Sequence, residues 1–117
     1  MSTSQRESTA VVERIAREVL LEGLDDWVPI DTVIAGARDA PGAVAGFQGT
    51  AAMVFEHLLR NAFMRAGDLG ENGFEAWPVT GDQAYDRVLR QCERLGWAPL
   101  GAGAWLANTP LGDDRVS

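Results

Sequence analysis

Few side chains in this sequence are equipped for chemistry, and their spacing isolates them. His57 is the only histidine and Cys92 the only cysteine in 117 residues. A zinc site draws on several His, Cys or carboxylate ligands, and a nucleophile needs a base beside it. No spaced Cys/His cluster supplies either. Glu56 adjoins His57, but neighbouring residues on a helix do not share a face. His57 therefore reads as a partly exposed or structurally bonded histidine. Cys92, among Val88, Leu89 and Leu95, reads as a small buried apolar residue. The carboxylate pairs Asp25/Asp26 and Asp113/Asp114 fall in or beside loops and read as solvated. The glycines of 39–49 do not form a phosphate loop, because the GxxxxGK[ST] pattern is missing and the chain has no lysine to complete it. The expectation is a protein that is not an enzyme and has no metal and no cofactor.

Charge narrows the class of partner. All ten basic residues are arginine, and seventeen acids leave a formal charge of −7. A negative domain repels nucleic acid and anionic membrane unless its arginines are clustered. Here they are interspersed with acids. No leader-like segment and no apolar run of spanning length is present, so no membrane association and a cytoplasmic location are expected. Its single cysteine fits that compartment. With 46% hydrophobic and 23% charged residues, the chain has enough apolar material for one folded domain.

The stretch Thr50–Trp77 organises the rest. Thr50 is a candidate N-cap. Ala51, Val54, Phe55, Leu58, Leu59, Ala62 and Phe63 recur at three- and four-residue steps, the mark of one apolar helix face. Glu56 and Arg60 form an i,i+4 pair on the other side. Gly67 closes the helical segment, although Phe63, Met64 and Arg65 already have the character of an extended strand. Glu71-Asn72-Gly73 is a strong turn signal, since Asn and Gly tolerate positive φ. Phe74 and Trp77 follow in a short strand that Pro78 ends. The segment reads as helix, strand, turn, strand.

The flanks read as support. Residues 1–6 are expected to be flexible. A first helix over Glu7–Leu24 buries Val12, Ile15, Ala16, Val19 and Leu20, with Glu13–Arg17 paired on its wet side. Asp25–Ile30 is an extended link, because Pro29 keeps Val28 out of a helix. Asp31 then caps a short helix over Thr32–Arg38. Residues 39–49 read as a linker, with a loop closing over a partner or pocket as the alternative. Thr80 and Gln83 have capping-box spacing, and a helix from about Asp82 to Leu95 stops at Gly96. Its buried face carries Ala84, Tyr85, Val88, Leu89, Cys92 and Leu95. Ala104–Asn108 is a last short strand, and 110–117 a flexible acidic tail. The fold class is α+β, winged-helix-like, a single domain over 7–109. It has three to four helices, a β-hairpin and a short C-terminal strand, and the extended link pairs with the hairpin.

Trp27, Trp77, Trp97 and Trp105 each border an extended piece. Packing together as a small core at one end of the sheet is the commoner explanation; service as interface anchors is the sharper one. Gly67-Asp68-Leu69, Gly73-Phe74, Trp77 and Trp105-Leu106-Ala107-Asn108-Thr109 resemble motifs of small uncharacterised winged-helix-like proteins of high-GC bacteria. The resemblance covers about half the chain. It implies a binding module, immunity-like or regulatory, acting on another protein. Asp68, Glu71, Phe74, Glu75, Trp77 and Trp105 are the interface candidates, and an acidic surface suits a basic partner. The alternative is a winged-helix transcription regulator whose helix Thr50–Ala66 reads DNA through Arg60 and Arg65. Against it, Asp68, Glu71 and Glu75 stand where a DNA-binding wing needs basic residues. A small-ligand binder, with a pocket between loop 39–49 and the tryptophans, is the second alternative.

Overall fold

In the computed structural model, residues 3–40 and 46–117 are described, with side chains from Thr9 onward. Helix α1 (Thr3–Gly23) leads into β1 (Val28–Pro29), α2 (Ile30–Asp39) and α3 (Gly46–Arg60). The hairpin β2 (Met64–Gly70) and β3 (Gly73–Ala76) follows, then α4 (Gly81–Arg94), β4 (Trp105–Asn108) and α5 (Pro110–Val116). The fold is α+β and winged-helix-like through β3, with five helices among the described residues.

The sheet departs from expectation. Its order is β1-β4-β2-β3, antiparallel throughout. The last strand thus enters the middle, and β1 pairs with β4 instead of with the hairpin. Buried Val28, Leu106, Ala66 and Met64 form the face turned to the helices. Pro29, Trp105, Ala107 and Arg65, on the alternate register, are only half-buried and form the outer face.

The helix stripes bury as the three- and four-residue spacing requires. Val12, Ile15, Ala16, Val19 and Leu20 of α1 meet Val33, Ile34 and Ala37 of α2 and the α3 face in one core. On the wet side of α1 the ion pair is Arg14–Glu18, at 3.8 Å, instead of Glu13–Arg17. Residues from Thr3 onward are helical, so most of the expected flexible start belongs to α1.

Several boundaries move. α2 starts at Ile30, inside which Asp31 is no cap; its Oδ2 accepts from the Gly101 amide at 3.1 Å. α3 starts at Gly46, a full turn before Thr50, whose hydroxyl donates back to the Gly46 carbonyl at 3.3 Å. The expected linker therefore loses both ends to helices, and its part at 41–45 lies outside the described residues. α3 ends at Arg60 and not near Gly67. Ala62 takes a positive φ of 58°, and the Phe63 amide donates to Leu58 O at 3.0 Å, a Schellman closure with alanine where glycine is usual. Phe63 and Ala62 thus leave the helical face. α4 lies where Thr80 and Gly96 place it, although Thr80 makes no side-chain capping bond.

The expected acidic tail is helix α5. Thr109 caps it by accepting from Gly112 N at 3.1 Å, and Pro110 occupies its first turn. Asn108 Nδ2 donates to Leu20 O and to Asp113 Oδ1, tying β4, α1 and α5 together. Buried Gly112 is required there, since a Cβ would stand 2.0 Å from the Phe63 carbonyl oxygen.

Candidate protein-interaction face

The outer face of the sheet holds the aromatic residues that the sequence left unplaced. β1 and β3 are its opposite edges, and three strand spacings would set them about 14 Å apart in a flat sheet. Yet the Trp27 ring, just before β1, stacks on Phe74 of β3 with centroids 6.2 Å apart and planes 28° apart. The hairpin therefore sends Phe74 toward Trp27 across the outer face. Its glycines permit this. A Cβ on Gly67 would stand 2.3 Å from Glu75 O and 2.8 Å from the Phe74 ring. Gly73, at φ 102°, would meet the Trp27 ring at 2.6 Å. Phe74 therefore lies over Gly67, the register partner of Trp105.

Around this Trp27–Phe74 clasp the surface is apolar at the centre and acidic at the rim. Trp27 is 43% exposed, Leu24 45% and Leu69 45%. Asp25 and Asp26, next to Trp27 in the chain, and Glu71, in the hairpin turn, are exposed; Asp68 and Glu75 are exposed too, but on the alternate register they project from the side of the hairpin opposite Phe74 and Leu69. Asp26 Oδ1 accepts from the Trp27 amide at 2.8 Å, which fixes the approach to the ring.

The candidate residues do not share one environment. Phe74 and Trp105 are half-buried on the outer face, and Asp68, Glu71 and Glu75 are exposed. Trp77 is a correction: at 3% exposure it belongs to the core and offers no surface to a partner. Its indole Nε1 donates to Asp68 Oδ2 at 3.0 Å, Arg87 covers its ring at 3.9 Å, and its carbonyl accepts from Arg65 Nη2 at 2.6 Å. The tryptophans do not gather into one small core either. Trp97 meets Phe47 edge-on at 6.3 Å, beside Arg38 and far along the chain from the clasp.

The arginines named for DNA are occupied. Arg60 pairs with Glu56 at 2.5 Å and with Asp82, and lies 5.4 Å from the Tyr85 ring. The hydrogen bond it donates to the Asp82 carboxylate is the main cause that holds its guanidinium above the usual range. Arg65 is half-buried against the Trp77 carbonyl. α3 itself packs against α1, α2 and α4 and buries Thr50, Ala51, Val54, Phe55, Leu58 and Leu59. A B-DNA major groove is about 12 Å wide, close to a helix with its side chains, so a reading helix must protrude. α3 does not.

His57 lies half-buried, with its ring 5.6 Å from Phe63. It lines a shallow groove of about 330 Å³ with Glu13, Glu56, Arg60 and Asn61, open to solvent. Cys92 is buried, and burial, with Asp31 and Glu93 adding, pushes its thiol up to about 11. Among the described residues no three His, Cys, Asp or Glu side chains are placed to hold a metal ion, and no helix is long and apolar enough to cross a membrane.

Sequence reasoning missed Trp27 as part of this face. Two signals were present: a tryptophan preceded by two aspartates at a strand edge, and glycines at 67, 70 and 73, spaced to let a hairpin close on it. Compared with protein-family models, with curated proteins and with solved structures, the chain has no match.

Proposed function

We propose that this protein is a non-enzymatic binding module whose outer sheet face engages another protein carrying a basic surface. One observation carries the reading. Trp27, nearly half exposed and held on Phe74, follows exposed Leu24, Asp25 and Asp26 in the chain, and Leu69, exposed as well, is the register partner of Phe74. A rigid aromatic in an apolar centre is the usual anchor of an interface, and a charged rim sets on-rate and partner choice. An immunity-like or regulatory role fits such a module. The DNA-regulator alternative has less support, because Arg60 and Arg65 are engaged within the chain.

The test is affinity capture from a cell extract with the captured protein identified by mass. A basic protein should be retained, be released by raised salt, and be lost with Trp27→Ser and with Asp25→Arg. A partner held equally by both variants overturns this surface. Salt-sensitive binding of duplex DNA instead would return the reading to a regulator.

A further inference from the structure

The two edges of the sheet are finished differently. At one edge β1 is two residues long, and Pro29 has no N–H to offer another strand. At the other edge β3 runs over four residues without proline, and its only strand partner is β2. The register shows which of its backbone groups are left over. In an antiparallel pair every second residue exchanges both backbone bonds with its partner, and the residues between turn theirs away. Trp77 N donates to Ala66 O at 2.9 Å, so the bonded pairs running up the hairpin are Ala66–Trp77, Asp68–Glu75 and Gly70–Gly73. Thr109 N donates to Phe63 O at 3.0 Å, so Phe63, Arg65 and Gly67 bond toward β4 and leave the residues between them for β3. Phe74 and Ala76 therefore turn N–H and C=O out of the sheet. Among the described residues no loop amide and no side chain is hydrogen-bonded to them.

An open edge invites pairing with another chain, and folds guard such edges with charge. Here the guard is Glu75, exposed, with its carboxylate over Gly70 and no cation paired with it among the described residues. Its register partner Asp68 lies on the same side of the hairpin and accepts from Trp77 Nε1. The two acids form a row across β2 and β3, and the next place in that row belongs to an added strand. A second copy of this chain, itself at −7, would bring like charges together there; a strand with arginine or lysine at that place completes the row. On the other side of the hairpin the flanking residues of such a strand fall beside Phe74 and Ala76, where apolar side chains continue the clasp. We propose that β3 takes up an extended segment of the basic partner as a further strand, in the pattern apolar–basic–apolar. The basic residue stands across from Glu75, and the apolar ones stand across from Phe74 and Ala76. This mode rests on the protein-binding reading above and gives the acids on the far side of the hairpin a place in it.

The probe is a hexapeptide of alternating valine and arginine. Its control holds the same residues in two blocks, so that charge and composition are equal. In hydrogen exchange followed by NMR, the Phe74 and Ala76 amides should exchange fast in the free protein and at least about tenfold more slowly under saturating alternating peptide. The block peptide should bind at least about fivefold more weakly. Ala76→Pro removes an outward N–H and leaves the hairpin bonds in place, so it should abolish binding. Glu75→Arg should weaken binding by about two- to fivefold, which keeps the test open should Ala76→Pro unfold. Slow exchange of both amides in the free protein, equal binding of the two peptides, or binding unchanged by either variant would overturn the added strand. A basic protein captured by Ala76→Pro as well as by the wild type, yet lost with Trp27→Ser, would leave the face standing and sink the strand. Peptide protection of Phe74 and Ala76 with no basic protein captured would support the strand edge and sink the reading above.

Discussion

α3 and the β2–β3 hairpin are consecutive in the chain and built on opposite terms. α3 is held by what packs on it: α1, α2 and α4 meet its buried face, where Phe55 and Leu58 are fully buried. The hairpin is held at its base by the pairing of β2 with β4, and toward its tip by its own turn and one stacked pair. In a helix–wing pair that reads nucleic acid, the helix protrudes and the wing is basic. Here the helix buries one face against three others, its exposed arginine is paired with acids, and the wing is acidic. The difference teaches that an amphipathic helix before a hairpin does not fix which of the two faces a partner. What packs on the helix decides that, and here α4 does.

Phe55→Ala gives the largest effect with which to break this contrast. The side chain is 0% exposed, and emptying such a site costs about 3–5 kcal/mol, against a total of about 5–15 for a domain. Urea denaturation should show the midpoint falling steeply; a loss under about 1 kcal/mol would mean this face of α3 is not packed. Gly67→Val comes next. Its side chain would collide with the Glu75 carbonyl, and such overpacking costs about 1–3 kcal/mol. Phe74 ring-proton shifts should move away from Trp27 while amide protection in α3 persists. If the Trp27–Phe74 contact survived, the glycines would not be what lets the hairpin close.

The smallest effect sharpens the helix side. Cys92 sits on the buried face of α4, and burial raises its thiol from 9.0 to about 11. The folded state thus favours the neutral thiol. That contribution to stability is fully present below about pH 9 and is lost as pH rises through about 11. A thiol reagent at pH 8 should label the native protein far more slowly than the urea-unfolded protein. Equal rates would mean that α4 does not shield this face.

Local chemistry was legible in the sequence. The Asn72-Gly73 turn, the limits of α4 between Thr80 and Gly96, and the stripe of α1 follow from short-range pattern alone, because φ preference and helical period act over a few residues. Thr50 misled because one hydroxyl can cap a helix or bond back within it, and the flanking residues do not distinguish the two. α5 was missed although Thr109-Pro110 is a sound helix start. Gly112, inside that helix, is set by contact with Phe63, distant in sequence. Of the candidate site, the acids and Phe74 were legible on the hairpin. The pairing of Phe74 with Trp27 was not, since it depends on how four strands coil together. Trp77 looked like an anchor for the same reason: its partners Asp68, Arg87 and Arg65 meet it only after folding.

The strand order has a consequence for how the molecule comes into being. β4, made after every other strand, is the one that joins β1 to β2. Until Trp105–Asn108 has left the ribosome, β1 and the hairpin have no common partner, and two strand edges stand open. The helices can collapse as they emerge, but the sheet closes only once β4 is available, in a step of long sequence separation. A chain stalled just before β4 would expose those edges to other chains. Emergence of Trp105–Asn108 is therefore the event that completes the sheet.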